Sequence, residues 1–255
     1  MRALIALGKV LLGVPESDRA TVPIRVRPAT KHQGKIEMLL AELFLLSALD
    51  PLHGTVRPNR AMSHQPSFLA TALLMELAVC RELKRSAGGL MLDHDLPSFH
   101  ILVDQARAAL KRSQRALPPA EAVDLTRHEL PNLRENMLEG LAERGILHAG
   151  GRRRYWLFGP RRYPLRSKQA SDECVQLLEK TASGKDNSLR ANAAAILATG
   201  SGLATIMLHA SESNQLHERV KRLRLEQQGQ PDKEHAADAE AIGVMLMLGT
   251  QLTVS

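Results

Sequence analysis

The sequence predicts a mainly α protein: a single compact helical domain with short β-hairpins, one of them protruding, basic and aromatic. Three observations lead there. Apolar residues recur at the helical period on both sides of one stretch, 146–165, that alternates with period two. The links between periodic segments are short and contain Gly, Ser or Pro. No internal repeat is visible, and 255 residues, 44% hydrophobic and 24% charged, suffice for one substantial core.

Residues 1–34 are expected to form an irregular N-terminal arm, since Val14-Pro15, Val22-Pro23 and Arg27-Pro28 disfavour helix. The opening MRALIALGKVLLGV is not expected to act as a signal peptide. Lys9 interrupts the run, no small-residue cleavage site follows, and the run is too short to span a bilayer. Nothing later offers about twenty uncharged residues in a row. A soluble cytoplasmic chain is therefore expected, with any membrane contact peripheral.

The helical domain is expected over 35–255. Its first helix starts near Gly34, with Ile36, Leu39, Leu40, Leu43, Leu46 and Leu49 on its inner face. Asp50-Pro51 ends it, and DPLHGTVRP reads as a tight turn or short hairpin around Gly54. A second helix covers about 67–80, with Leu69, Leu73, Leu77 and Cys80 on one face. RELKRSAGGLMLDHDLP reads as two short strands broken at Gly88-Gly89. A third helix covers about 98–116 and carries Leu102, Ala106, Ala109, Leu110 and, just beyond, Leu117. PPAEAVD supplies proline for a first helical turn, and the helix near 131–144 ends with Gly145 as its cap. ILHAGGRRRYWLFGPRRYPL turns at Gly159-Pro160 and reads as a β-hairpin. Helices follow near 168–182, 187–199, 202–210, 212–228 and 234–252.

The hairpin departs most from the rest in composition. Of seven aromatic residues in the chain, Tyr155, Trp156, Phe158 and Tyr163 fall within nine positions, bracketed by Arg152, Arg153, Arg154, Arg161 and Arg162. A membrane interface suits this mixture, because aromatic rings settle at headgroup depth while arginine meets lipid phosphate. At about 1 kcal/mol per basic residue, five arginines supply up to roughly 5 kcal/mol. The plainer alternative is a solvated hairpin with one aromatic face in the core. The formal charge of +7 favours an acidic partner without choosing between lipid and nucleic acid. A winged-helix DNA reader is the rival, with RRRYWLFGPRR as wing and 131–144 as recognition helix. That helix carries Glu135, Glu139 and Glu143, which phosphate would repel.

Other constellations favour structural roles. Asp93, His94, Asp95 and His100 lack the helical spacing of a zinc site and read as a polar loop. Ser201 lies between glycines but among Ala-rich helices, so a helix corner is expected rather than a nucleophile elbow. Glu76, inside LLMELAV, is expected to cap or pair locally, and Cys80 and Cys174 to be buried thiols. No cofactor and no catalysis are expected.

Three stretches resemble the Golgi phosphoprotein 3 family: LLAELFLLSALDPLHGTV (39–56) with LLMELAV (73–79); LPNLRENMLEGLAERGILHAGGRRRYWLFGPRRYPL (130–165), the most specific; and the Ala-rich pair at about 190–210 with HERVKRLR (217–224). They run in family order over about 35–250. The resemblance implies a helical fold with an apolar hairpin and binding of phosphatidylinositol 4-phosphate, or another acidic lipid, at a cytosolic membrane face. It also implies an adaptor role in trafficking, with cytosolic tails of membrane proteins as partners and self-association through the hairpin; nucleic acid is not expected. The family's paired-arginine motif, LRNxRERL, falls on Leu130–Met137, where Arg134 matches and Pro131 replaces the first arginine. The pocket tryptophan falls near Arg60 or Ala61, and another pocket arginine near Ala70. Headgroup contact is thus expected from Arg134 with Arg57 or Arg60, and membrane contact from Arg152, Arg153, Arg154, Tyr155, Trp156, Leu157, Phe158, Arg161 and Arg162.

Overall fold

The computed structural model describes residues 38–94, 100–148, 162–228 and 236–252. Residues 1–37, with the N-terminal arm, and the hairpin positions Arg152 to Arg161 lie outside the described residues. Helices α1 (Leu40–Ala48) and α2 (Pro66–Val79) form the centre. Every residue of α1 is buried, as is α2 from Phe68 to Ala78. Helices that are apolar all round belong in a core, and these two bring Phe44 and Phe68 edge-to-face at 5.3 Å. Around them pack α3 (Ile101–Ser113), α4 (Pro119–Glu129), α5 (Leu133–Glu143), α6 (Lys168–Ala182), α7 (Leu189–Gly200) and α10 (Ala236–Gly249). The short α8 (Ala204–Met207) and the long α9 (Ala210–Glu226) lie against α7, and α9 also lies against α6. Strands β1 (Leu83–Ser86) and β2 (Gly89–Leu92) make a two-stranded antiparallel hairpin.

Three expectations are corrected. The first helix begins at Leu40, not near Gly34: Leu39 is extended, and its amide donates to the Glu42 carboxylate at 3.0 Å. Helix α3 stops at Ser113 rather than 116, because Gln114 takes a left-handed conformation. Leu117 is then free of the helix and joins β2 instead, exchanging backbone hydrogen bonds of 2.7 and 2.8 Å with Leu90. The third concerns Cys80, which caps the end of α2 in solvent; only Cys174 is buried.

Glu76 does pair, though across the molecule rather than locally. Its Oε1 accepts the Leu40 amide at 2.5 Å, and the Arg190 guanidinium reaches both carboxylate oxygens at 3.1–3.2 Å. One carboxylate thereby satisfies an orphan donor at the start of α1 and ties α2 to α7. Two further buried acids do similar work. Glu82, just before β1, takes Arg107 of α3 in a bidentate pair at 2.5 and 2.8 Å. Glu42 receives Arg144 and faces His100 at 3.4 Å. Burial pushes the Glu42 carboxyl up, but the His100 hydrogen bond and the Arg144 charge outweigh it and hold the group below its ordinary value.

Candidate functional site

The chain leaves α5 through Gly145, whose φ of +76° closes the helix as the sequence predicts. Residues 146–148 then run antiparallel to 164–166. Leu147 bridges Leu165, the His148 amide donates to the Pro164 carbonyl at 2.8 Å, and the Arg166 amide donates to the Ile146 carbonyl at 3.1 Å. The two arms of the expected hairpin therefore meet at its root. Tyr163 is buried there and belongs to the core, while Arg162 is exposed.

The other edge of 163–165 is held by the turn after α1. The Tyr163 amide donates to the Gly54 carbonyl at 3.3 Å, and the Leu165 amide donates to the Pro51 carbonyl at 3.1 Å. Residues 163–166 thus lie between two chain segments. Gly54 sits at φ +60°, and a Cβ there would stand 2.2 Å from the Tyr163 carbonyl carbon, so only glycine fits. Asp50 organises the turn: its Oδ1 accepts the Leu52 and His53 amides at 3.0 and 2.7 Å and lies 2.9 Å from His53 Nδ1. The His53 amide, with the ring's hydrogen bond next, holds the Asp50 carboxyl below its usual range.

From this turn the chain enters a 3-10 segment, Pro58–His64, which carries or faces the three headgroup candidates. Arg60 turns inward and donates through Nη1 to the Ser47 carbonyl at 2.5 Å, capping the end of α1, while its Nε is buried without a partner. Burial first, and the neighbouring Arg57 charge second, lower its pKa. Arg57 is half-buried. Arg134, in the first turn of α5, is 42% exposed and pairs with its neighbour Glu135, with Nε at 2.9 Å from the carboxylate. It lies close enough to His64 to act on it. Both His64 ring nitrogens are shut off from water without a partner, and burial, then the Arg134 charge, push its pKa down to about 4 against the pull of Glu135.

Arg57 thus precedes the 3-10 segment, Arg60 lies within it, and the Arg134 charge acts on His64 at its end. His64 gives no sign in the sequence, because a lone histidine in a turn has no period or motif. Arg152, Arg153, Arg154, Tyr155, Trp156, Leu157, Phe158 and Arg161 lie outside the described residues. Asp95 lies outside the described residues as well, and the other candidates resolve into structure. Asp93 takes Lys84 and His94, and His100 Nδ1 accepts the Leu102 amide at 3.2 Å to start α3. Ser201 caps α7, its hydroxyl donating to the Leu197 carbonyl at 2.6 Å. Among the described residues no group of three or more His, Cys, Asp or Glu is arranged to hold a metal ion. Nor is any helix there long and apolar enough to cross a membrane.

The family model for Golgi phosphoprotein 3 (GPP34) matches residues 39–242, which contain both the 3-10 segment and the hairpin. No curated protein matches the chain.

Proposed function

Since the chain belongs to the Golgi phosphoprotein 3 family, we propose that it is a non-catalytic, peripheral membrane protein. It docks on acidic phospholipid at a cytosolic membrane face. Arg57 and Arg134 are the headgroup residues, since Arg60 is turned inward onto the Ser47 carbonyl, and Arg152–Phe158 with Arg161 and Arg162 are the membrane contact. Phosphatidylinositol 4-phosphate is the first lipid to test, and cytosolic tails of membrane proteins and a second copy of the chain are the partners that an adaptor of this kind takes.

One observation carries the reading. The root of the basic hairpin is hydrogen-bonded to the turn that leads directly into the 3-10 segment. Arg57 follows Gly54 by three residues, a span of at most about 11 Å. The basic hairpin and the first headgroup candidates therefore start from one place, so a single lipid surface can engage both. The excess positive charge supports an anionic partner. Glu139 and Glu143 are exposed on α5, which weighs against its entry into a DNA groove.

Co-sedimentation with three kinds of vesicle tests the reading: phosphatidylcholine alone, phosphatidylcholine with phosphatidylserine, and phosphatidylcholine with phosphatidylinositol 4-phosphate. A DNA mobility shift is run alongside. Binding to acidic vesicles only is the expected result, and preference for the phosphoinositide at equal charge would name the headgroup. DNA binding without vesicle binding would replace the proposal with the nucleic-acid reading.

A further inference from the structure

Leu52 is the tip of the turn between α1 and the 3-10 segment, and it is 82% exposed. The next most exposed large apolar side chain among the described residues, Leu225 on α9, is 59% exposed. A single surface leucine is ordinary. This one differs in how firmly it is held out. The backbone on both sides of it is fixed by Asp50, which accepts the amides of Leu52 itself and of His53. The Gly54 amide closes the turn by donating to the Asp50 carbonyl at 2.9 Å, and Gly54 has no room for a side chain. The turn is further clamped by the Tyr163 and Leu165 amides. A leucine cannot fold back from such a turn to hide its side chain.

The surroundings identify what covers it. Arg162 and Arg166 are both exposed and flank the two residues bonded to the turn; His53 beside it is exposed, and Arg57 follows. The one acid in the turn, Asp50, is already engaged by His53 and two amides. An exposed apolar tip with arginines next to the residues that clamp its turn, and with the one nearby carboxylate hydrogen-bonded within the turn, fits the boundary between lipid headgroups and acyl chains.

Resting on the membrane reading above, we infer that the 50–54 turn is a second membrane-contact element, which inserts Leu52 beside the hairpin root and holds the protein at a fixed angle to an anionic bilayer. The turn acts as a rigid wedge. Because its geometry is set before binding, inserting Leu52 orders nothing new.

The experiment places a nitroxide at position 52 in the full-length chain. Leu52→Cys is made in a Cys80→Ser background; Cys174 needs no change, because burial pushes its thiol up to about 12 and denies it to the label. With vesicles containing phosphatidylserine, oxygen access to the label should rise and access by a water-soluble nickel complex should fall. A label at Leu225→Cys should show neither change. In parallel, Leu52→Asn should weaken vesicle binding by about tenfold or more, from the transfer value of a leucine side chain, and Leu52→Phe should restore it. Normal vesicle binding with position 52 still in water overturns the wedge and leaves the membrane reading standing. No vesicle binding by the unaltered chain overturns both. A Leu52→Asn variant that loses a dimer on light scattering while keeping its vesicle affinity assigns the tip to a second copy instead.

Discussion

The two ring nitrogens of half-buried His64 are shut off from water, and burial first, then the Arg134 charge, disfavours the charged ring. In the native state the His64 ring therefore stays neutral down to about pH 4, whereas an unfolded histidine protonates near 6.5. Between those values the unfolded chain binds the extra proton, so stability falls as pH drops from 6.5 to 4, by about 3 kcal/mol at most. His64→Phe should flatten that window in urea titrations at pH 7 and pH 5; an unchanged slope would mean that His64 is not the group responsible. Glu42 acts in a lower range. Its depressed pKa contributes stability that is present above the ordinary value of 4.5 and is lost as pH falls through the lower, folded value. Neither environment was legible in the sequence, because each depends on side chains brought from other elements: Arg134 to His64, and His100 and Arg144 to Glu42.

At the scale of elements, periodicity located the helices well, since an apolar face imposes its own spacing wherever one side meets solvent. It served least where that condition fails. Helix α2 is buried all round, so the single face drawn through Leu69, Leu73, Leu77 and Cys80 placed Cys80 inside when it caps the helix in water. At α3 the pattern overruns the helix, because Leu117 has the right spacing for the helix face yet pairs with Leu90. What fastens elements together was likewise hidden, except that Glu76 was expected to pair. Arg190→Met removes the guanidinium that reaches both oxygens of the buried Glu76 carboxylate and should cost about 3–5 kcal/mol in denaturant unfolding. Adding Glu76→Gln should recover part of that loss, since the amide keeps an acceptor for Leu40; no recovery would mean that the ion pair is not what joins α2 to α7. Gly54→Ala strains a left-handed residue and drives a methyl into the Tyr163 backbone. It should destabilise the protein by about 1–3 kcal/mol and weaken vesicle binding by loosening the hairpin root. A stability equal to the parent's would show that the turn is not clamped as described.

For the whole molecule, family membership and the helical architecture followed from long stretches in a fixed order, which the match over 39–242 supports. The candidate site was legible only in its charge: arginine clusters are visible in one dimension, but whether a guanidinium faces lipid or caps a helix, as Arg60 does for α1, is decided by the fold. The membrane proposal has an anionic bilayer engaged through the arginines between His148 and Tyr163, two residues held near the 50–54 turn. It is tested most directly by vesicle co-sedimentation of the parent and of a variant with Arg153, Arg154, Arg161 and Arg162 all changed to Ala. The measurement is made with phosphatidylserine vesicles at low and high salt. The parent should bind at low salt and weaken steeply as salt rises, because exposed charges are screened beyond about 8 Å at 0.15 M. The variant should lose up to roughly 4 kcal/mol of binding and most of the salt dependence. Equal binding by the two proteins, with the same response to salt, would contradict the account.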